Sequence, residues 1–391
     1  MSTQGHIRRR GANSWELKFD AGRDEVTGKR LTRFHSFRGT RAEAKIKLAE
    51  LVVAVGKGSY VEKSKTTVAD HVRARIDQWE AAGKIGAKTA ERYRELLANQ
   101  IVPFIGPITI QKLKPIDVER WHNDLRTKGR KDGKGGLKPL TIRHAHRLVS
   151  KALKDAVRFD LVTKNAAVAQ GAPSIDEDDE VVILKRERVN EVIGKLRDRP
   201  IYPAAMVALF TGIRRGELLA LRWRSVDLDG KKEMKVQEAL EETKAHGLRV
   251  KKPKTKSGIR PISLPDIVLD ALREHRRRQL ELRVALGLGR LPDDALVFPA
   301  DGGGHRSPRS FSSYWADQAA AIGAPDVTLH ALRHTHASQL IEAGIDVVTI
   351  SKRLGHSNPT ITLRIYAHSF RDRDDKATDA INSALAGFGK V

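Results

Sequence analysis

The chain contains no cysteine in 391 residues. That excludes disulfides, thiolate zinc sites and a cysteine nucleophile, and it fits a reducing compartment. Aromatic residues make up only 5%, so cores must rest on leucine, isoleucine, valine and alanine. No apolar run is long enough to span a bilayer, and the N-terminal MSTQGHIRRR has no apolar leader core. A soluble, cytoplasmic protein with no membrane partner is the expectation. Acid is also scarce: 48 Asp and Glu stand against 72 Lys and Arg, a formal net charge of +24.

The basic residues are spread along the chain rather than gathered in a tail. They read as several surfaces facing a polyanion, with nucleic acid first in line. Charge by itself also fits a ribosome-like structural protein or a merely solvated surface. The length exceeds one ordinary core and implies two or three domains.

Residues 1–60 carry 13 Lys and Arg against 6 Asp and Glu, a local net of +7. Trp15, Leu17 and Phe19 alternate with polar residues as in a half-buried strand. A turn through Val26-Thr27-Gly28-Lys29 leads to a second strand near Leu31–Phe37. Thr40 to Glu43 is a capping-box signature that opens a helix to about Val55. Residues 66–170 read as all-helical, with helices expected over Thr67–Ala82, Ala87–Ile101, Lys114–Lys128 and Lys138–Phe159. The segment GAPSIDEDDE (171–180), with five consecutive acids at Asp176–Glu180, reads as a solvated linker. Residues 181–391 alternate helical and strand-like segments.

Four segments of that last region carry chemistry. In TGIRRGELLALRW (211–223), Gly212 permits a turn between two helices, with Arg214 at the junction and Glu217 three residues on. In KKPKTKSGIRPISL (251–264), Ser257-Gly258 signals a β-hairpin with Lys256 at its tip; a solvated basic loop accounts for Lys251, Lys252 and Lys254. In HALRHTHASQLIEAG (330–344), His330 and Arg333 share a helix face. His334 and His336 follow, but no carboxylate stands at zinc-site spacing, so they read as packing or capping residues. In LGHSNPTITLRIYAH (354–368), His356 lies in a turn after Gly355, and Tyr366 lies about two helical turns past Pro359. Taken alone, each of these side chains has an ordinary structural explanation. As a set, they can hold a phosphodiester, attack it and carry the developing charge without a metal.

The order Arg214, Lys256, His330 and Arg333, His356, Tyr366 resembles the tyrosine recombinase family, the phage-type integrases, through the boxes TGIRRGEL, PKTKSGIR, HALRHTHAS and LGHSNPTITLRIYAH. The resemblance spans the chain and implies a multidomain fold. It comprises a small α+β arm-type DNA-binding domain (1–60), an all-α core-binding domain (66–170), the linker (171–180) and a mixed, mainly-α catalytic domain with a small antiparallel sheet (181–391). It implies DNA strand breakage and rejoining with no cofactor, metal or ATP. Tyr366 would be the nucleophile, forming a 3′-phosphotyrosine. Arg214 and Arg333 would bind the non-bridging oxygens, with His356 as a further donor. His330 would accept the phenol proton, Lys256 would protonate the leaving 5′ oxygen, and Glu217 would orient the basic groups. Implied partners are double-stranded attachment-site DNA, three further copies in a tetramer, and an excisionase or DNA-bending protein. The setting would be the nucleoid of a bacterial host, with a phage or mobile element as the DNA moved. The tail including Ala380–Leu385 would dock on a neighbouring subunit.

Other readings are a type IB topoisomerase-like strand transferase and a catalytically silent DNA-binding regulator. A nucleotide-binding loop at Gly22–Lys29 is rejected because the glycine spacing is wrong and Arg30 stands where Ser or Thr is needed. A metal-dependent transposase would need clustered carboxylates, and the dense acidic run lies in the linker.

Overall fold

The computed structural model describes residues 5–23, 27–57, 60–174, 182–253, 256–370 and 374–385. The acidic run Asp176–Glu180 and Val26 of the expected turn lie outside the described residues. The chain divides into two compact units, Met1–Asp176 and Glu177–Val391. Among the described residues, no helix is long and apolar enough to cross a membrane.

The first unit holds two hydrophobic clusters. Strands β1 (His6–Gly11), β2 (Ser14–Arg23) and β3 (Arg30–Arg38) form an antiparallel sheet in that order, backed by helix α1 (Arg41–Gly56). The alternation in β2 buries Leu17 and Phe19 against Ala44 and Leu48 of α1. The capping box is present, with Glu43 N donating to Thr40 Oγ1 and Thr40 N donating to Glu43 Oε2. Strand β1 was not anticipated, because HIRRRG has almost no apolar alternation.

The second cluster belongs to α2 (Val68–Ala81), α3 (Ala87–Leu96), α4 (Pro115–Lys128), α5 (Pro139–Arg158) and α6 (Ala166–Gln170). The expected helix to Ile101 instead changes to π geometry over Leu97–Ile101. There the Gln100 carbonyl accepts a bond from buried Trp121 Nε1 at 2.6 Å.

The second unit begins with α7 (Arg186–Leu196), α8 (Tyr202–Thr211) and α9 (Arg215–Leu219). Among the described residues, five strands follow: β4 (Val226–Asp227), β5 (Glu233–Val236), β6 (Ala239–Thr243), β7 (Gly247–Lys251) and β8 (Arg260–Ser263). Among the described residues, six helices complete it: α10 (Asp266–Ala285), α11 (Pro308–Ala321), α12 (Leu329–Glu342), α13 (Val347–Leu354), α14 (Pro359–Phe370) and α15 (Asp374–Leu385). Helix α8 is apolar all round and buried almost throughout, so α10 and α12 can both pack on it.

The expected hairpin over 251–264 does not form. Strand β7 pairs with β6 in a separate ribbon, whereas β8 pairs with β5 in the sheet β4-β5-β8. A 3-10 turn, Lys256–Gly258, joins them. Packing overrides the local turn signal here: Arg260 and Ile262 face inward, and Pro261, which has no N–H, is tolerated because β8 is an edge strand.

Candidate active site

Arg214 sits at the N-cap of α9, after a left-handed turn at Gly212. Gly212 has φ +63°, and a Cβ there would lie 2.7 Å from Leu354 Cδ2 and 2.8 Å from His336 Cδ2. Glycine therefore serves both conformation and close approach. Arg214 Nη1 donates to Glu217 Oε1 at 2.9 Å, and its Nη2 donates to the Gly355 carbonyl at 2.8 Å.

Buried Glu217 also receives Arg260 Nη2 at 2.9 Å. Burial by itself would raise the Glu217 pKa. The bonds from Arg260 and the charges of Arg260 and Arg214 outweigh it and hold the carboxyl below its usual range.

Arg333, on the buried face of α12, donates through Nη1 to the Gly212 carbonyl and through Nη2 to the Leu354 carbonyl at 2.8 Å. The two arginines therefore converge on consecutive carbonyls, Leu354 and Gly355. Burial first, and the neighbouring Arg214 charge next, lower the Arg333 pKa to about 9.

Arg333 Nη2 also lies 2.9 Å from His356 Nε2. A guanidinium only donates, so Nε2 accepts and the His356 proton is on Nδ1, 2.8 Å from Thr362 Oγ1. Burial and the Arg333, Arg214 and Arg260 charges push the His356 pKa down to about 4. In this structure His356 is thus a neutral acceptor toward Arg333.

Tyr366 is 1% exposed, and at φ −117°, ψ 19° it interrupts the helical geometry of α14. Its Oη lies 2.7 Å from His334 Nδ1. His334, read from the sequence as a packing or capping residue, is thus the histidine within hydrogen-bond reach of the phenol, with His330 one turn away. One helical turn separates the two histidines on one face, and α14 crosses α12 at the level of His334. His330 stacks edge-on against His334, with ring centroids 4.4 Å apart. Burial raises the Tyr366 pKa to about 12, against a smaller lowering by Arg333. Burial and the His330 and Arg333 neighbours lower His334 to about 4. Lys256 opens the Lys256–Gly258 turn.

His336 does pack, as expected: it is buried, and its Nε2 accepts from Arg353 Nε at 3.1 Å. Burial first, then Arg353 and Arg333, push its pKa from 6.5 to about 3. The unfolded chain therefore binds the extra proton first, and stability falls as pH drops below about 6.5 toward 3. Linkage gives about 3 kcal/mol lost from this residue between pH 7 and pH 4. Denaturant titrations should show His336→Asn losing about that much less on acidification than the parent; equal losses would contradict the assignment.

A cleft of about 570 Å³ opens beside these groups, lined by Arg214, His330, Arg333, Ser312 and Trp315 among others. Residues 177–373, about half the chain, match the phage integrase family, and residues 75–126 match the phage integrase N-terminal SAM-like domain. The chain belongs to the phage integrase family. A XerC-like tyrosine recombinase of Caldanaerobacter subterraneus subsp. tengcongensis is 27% identical over 98% of the integrase and 99% of that relative. An integrase of Streptomyces ambofaciens is 28% identical over 89% and 87%. Among solved structures, the Tn1549 transposon integrase in complex with a circular intermediate DNA superposes with a TM-score of 0.67 at 21% identity. That match covers 81% of the integrase and 99% of the Tn1549 chain. A lambda integrase tetramer bound to a Holliday junction gives 0.50 at 17% identity, over 92% and 97%. The integrase is thus an enzyme of the tyrosine recombinase class, a site-specific DNA recombinase.

Sequence reasoning missed Arg260 and the role of His334. Arg260 could have been noticed because it falls in phase with Ile262 on the inward face of a strand. His334 could have been noticed one turn beyond His330.

Proposed function

We propose that the integrase cleaves duplex DNA by attack of Tyr366 Oη on one phosphodiester, with Arg214 and Arg333 binding its non-bridging oxygens. The observation that carries this reading is the pair of guanidiniums held on consecutive carbonyls. Two like charges set side by side repel, and a shared phosphate relieves that repulsion. Each fork has donors to spare: among the described residues, two of the five on Arg214 and three of the five on Arg333 are engaged. These fixed donors would stabilise the charge that builds on the phosphorane.

In the step itself the Oη–P bond forms and the P–O5′ bond breaks. The phenol proton passes to a histidine, and Lys256 protonates the 5′ oxygen. The number of ester bonds is unchanged, so the reverse step reseals the strand without a nucleotide cofactor. His334 Nδ1 is the acceptor nearest the phenol, with His330 beside it. At rest, burial pushes the Tyr366 pKa up and the His334 pKa down, and both shifts oppose full proton transfer. The proton therefore leaves as the O–P bond forms, not before. His356 acts in this scheme by fixing the Arg333 fork. The test is a DNA half-site nicked beside the cleaved bond, which should trap a covalent adduct that peptide mapping locates on Tyr366.

The lambda integrase tetramer on a Holliday junction supports a four-copy assembly on paired attachment sites. Helix α15 exposes Ile381 and Leu385, which suits docking on a neighbouring copy. The mass of the complex on synaptic DNA should correspond to four protomers, and two would contradict this. The basic outer face of the N-terminal sheet, with Arg8, Lys18 and exposed Phe34, suits an arm-type DNA groove. Such work would place the protein with the chromosome in a bacterial cytoplasm.

A further inference from the structure

Arg260 is 5% exposed, and its hydrogen bonds run to parts of the site that carry other side chains. Nη2 donates to Glu217 Oε2 at 2.9 Å and Nη1 to Glu217 Oε1 at 3.3 Å. That carboxylate also holds the Arg214 side chain and accepts the Arg214 backbone N–H at 3.1 Å. Nη1 donates as well to the carbonyl of Gly258, the last residue of the Lys256 turn, at 3.1 Å. Nε donates to the Arg353 carbonyl at 2.6 Å, just before the Gly355-His356 turn.

The backbone crosses this guanidinium closely. Gly355 is left-handed at φ +65°, and a Cβ there would lie 2.6 Å from Arg260 Nη1. The clip is reciprocal, since Arg353 Nη2 donates to the Ser263 carbonyl at the end of β8 at 3.1 Å.

We propose that Arg260 is a positioning residue for strand cleavage. By bonding Glu217, the Gly258 carbonyl and the Arg353 carbonyl together, it sets the Lys256 turn in register with Arg214 and the His356 turn. The proposal deepens the reading above and rests on Lys256 acting as the acid for the 5′ oxygen. Four of the five guanidinium donors are engaged inside the protein, so Arg260 acts through its neighbours and not on DNA. A buried ion pair is a poor source of net stability, because desolvation offsets its attraction. A planar fork that spans three acceptors is, in contrast, a good source of geometry. An ammonium at the same place could neutralise Glu217 but could not reach all three.

The test compares single-turnover cleavage of an ordinary phosphodiester with cleavage of the same DNA bearing sulfur at the bridging 5′ position. A thiolate leaves without being protonated, so this substrate removes the need for Lys256. Arg260→Met and Arg260→Lys are each expected to cleave ordinary DNA about 100-fold more slowly. On the sulfur substrate most of that loss should disappear, with DNA affinity near that of the parent. Arg260→Lys keeps the charge opposite Glu217 and serves if Arg260→Met does not fold. Full cleavage of ordinary DNA by Arg260→Lys would overturn the proposal, since charge neutralisation would then suffice. Equal losses on both substrates would overturn it too, because a general folding defect does not distinguish leaving groups. Lys256→Ala is the control. If sulfur rescues Lys256→Ala but not the Arg260 variants, the positioning role alone fails. If sulfur does not rescue Lys256→Ala, the acid assignment fails and the proposal goes with it.

Discussion

Tyr366→Phe is expected to bind attachment-site DNA as the parent does and to form no covalent adduct on a nicked half-site. The substitution removes one oxygen, the atom proposed to bond to phosphorus, and leaves a ring of nearly the same volume in a 1% exposed position. Packing against Ile350, Leu354 and Ala337 survives. The structural cost is the lost bond to His334 Nδ1, about 1 kcal/mol. The expected loss of adduct is therefore total, while melting temperature and DNA affinity barely change. The four other tyrosines, Tyr60, Tyr93, Tyr202 and Tyr314, cannot substitute unless they reach the same phosphate. An adduct in Tyr366→Phe would place the nucleophile elsewhere and dismantle the scheme.

Arg214→Ala should slow single-turnover cleavage by about 10²- to 10³-fold, the effect of losing a fixed donor to developing charge. DNA affinity should change by less than about tenfold, since many basic residues share the phosphate contacts. The scaffold is expected to survive: the Arg214 side chain is 41% exposed, and Glu217 keeps its bonds to Arg260. Arg333 is a poorer subject for this test, because it is buried and its loss would leave the Gly212 and Leu354 carbonyls unpaired. Cleavage and affinity falling by the same factor would show that Arg214 only holds DNA.

The helical boundaries near the site were legible because their signals are local. Gly212 and Gly355 end helices in left-handed conformations, and Pro359 starts one. Order and spacing marked Arg214, His330, Arg333, His356 and Tyr366 as candidates, and the structure brings these side chains close together. The hairpin at Lys256 was misread because a Ser-Gly turn signal says nothing about which strands lie beside it. β7 had a partner in β6 and β8 had one in β5, both chosen by burial across the sheet.

The division of labour between the histidines shows the same limit. His330 and His334 share one helix face, and nothing local states which meets the phenol. That depends on where α14 crosses α12, a matter of packing between helices. The partners of Arg260 were hidden for a related reason: its three acceptors are Glu217, Gly258 and Arg353, two of them distant in sequence.

By itself, then, the sequence determined the basic character of the chain, most of its helix boundaries, and a set of candidate side chains for holding and attacking a phosphodiester. These follow from charge, periodicity and local backbone preference, which act within a few residues. Only the tertiary structure decided that Arg214 and Arg333 share neighbouring carbonyls, that the phenol rests against His334, and that Arg260 ties three turns together. Such contacts join residues up to 141 positions apart and are fixed by burial and donor geometry, which no short stretch of sequence contains.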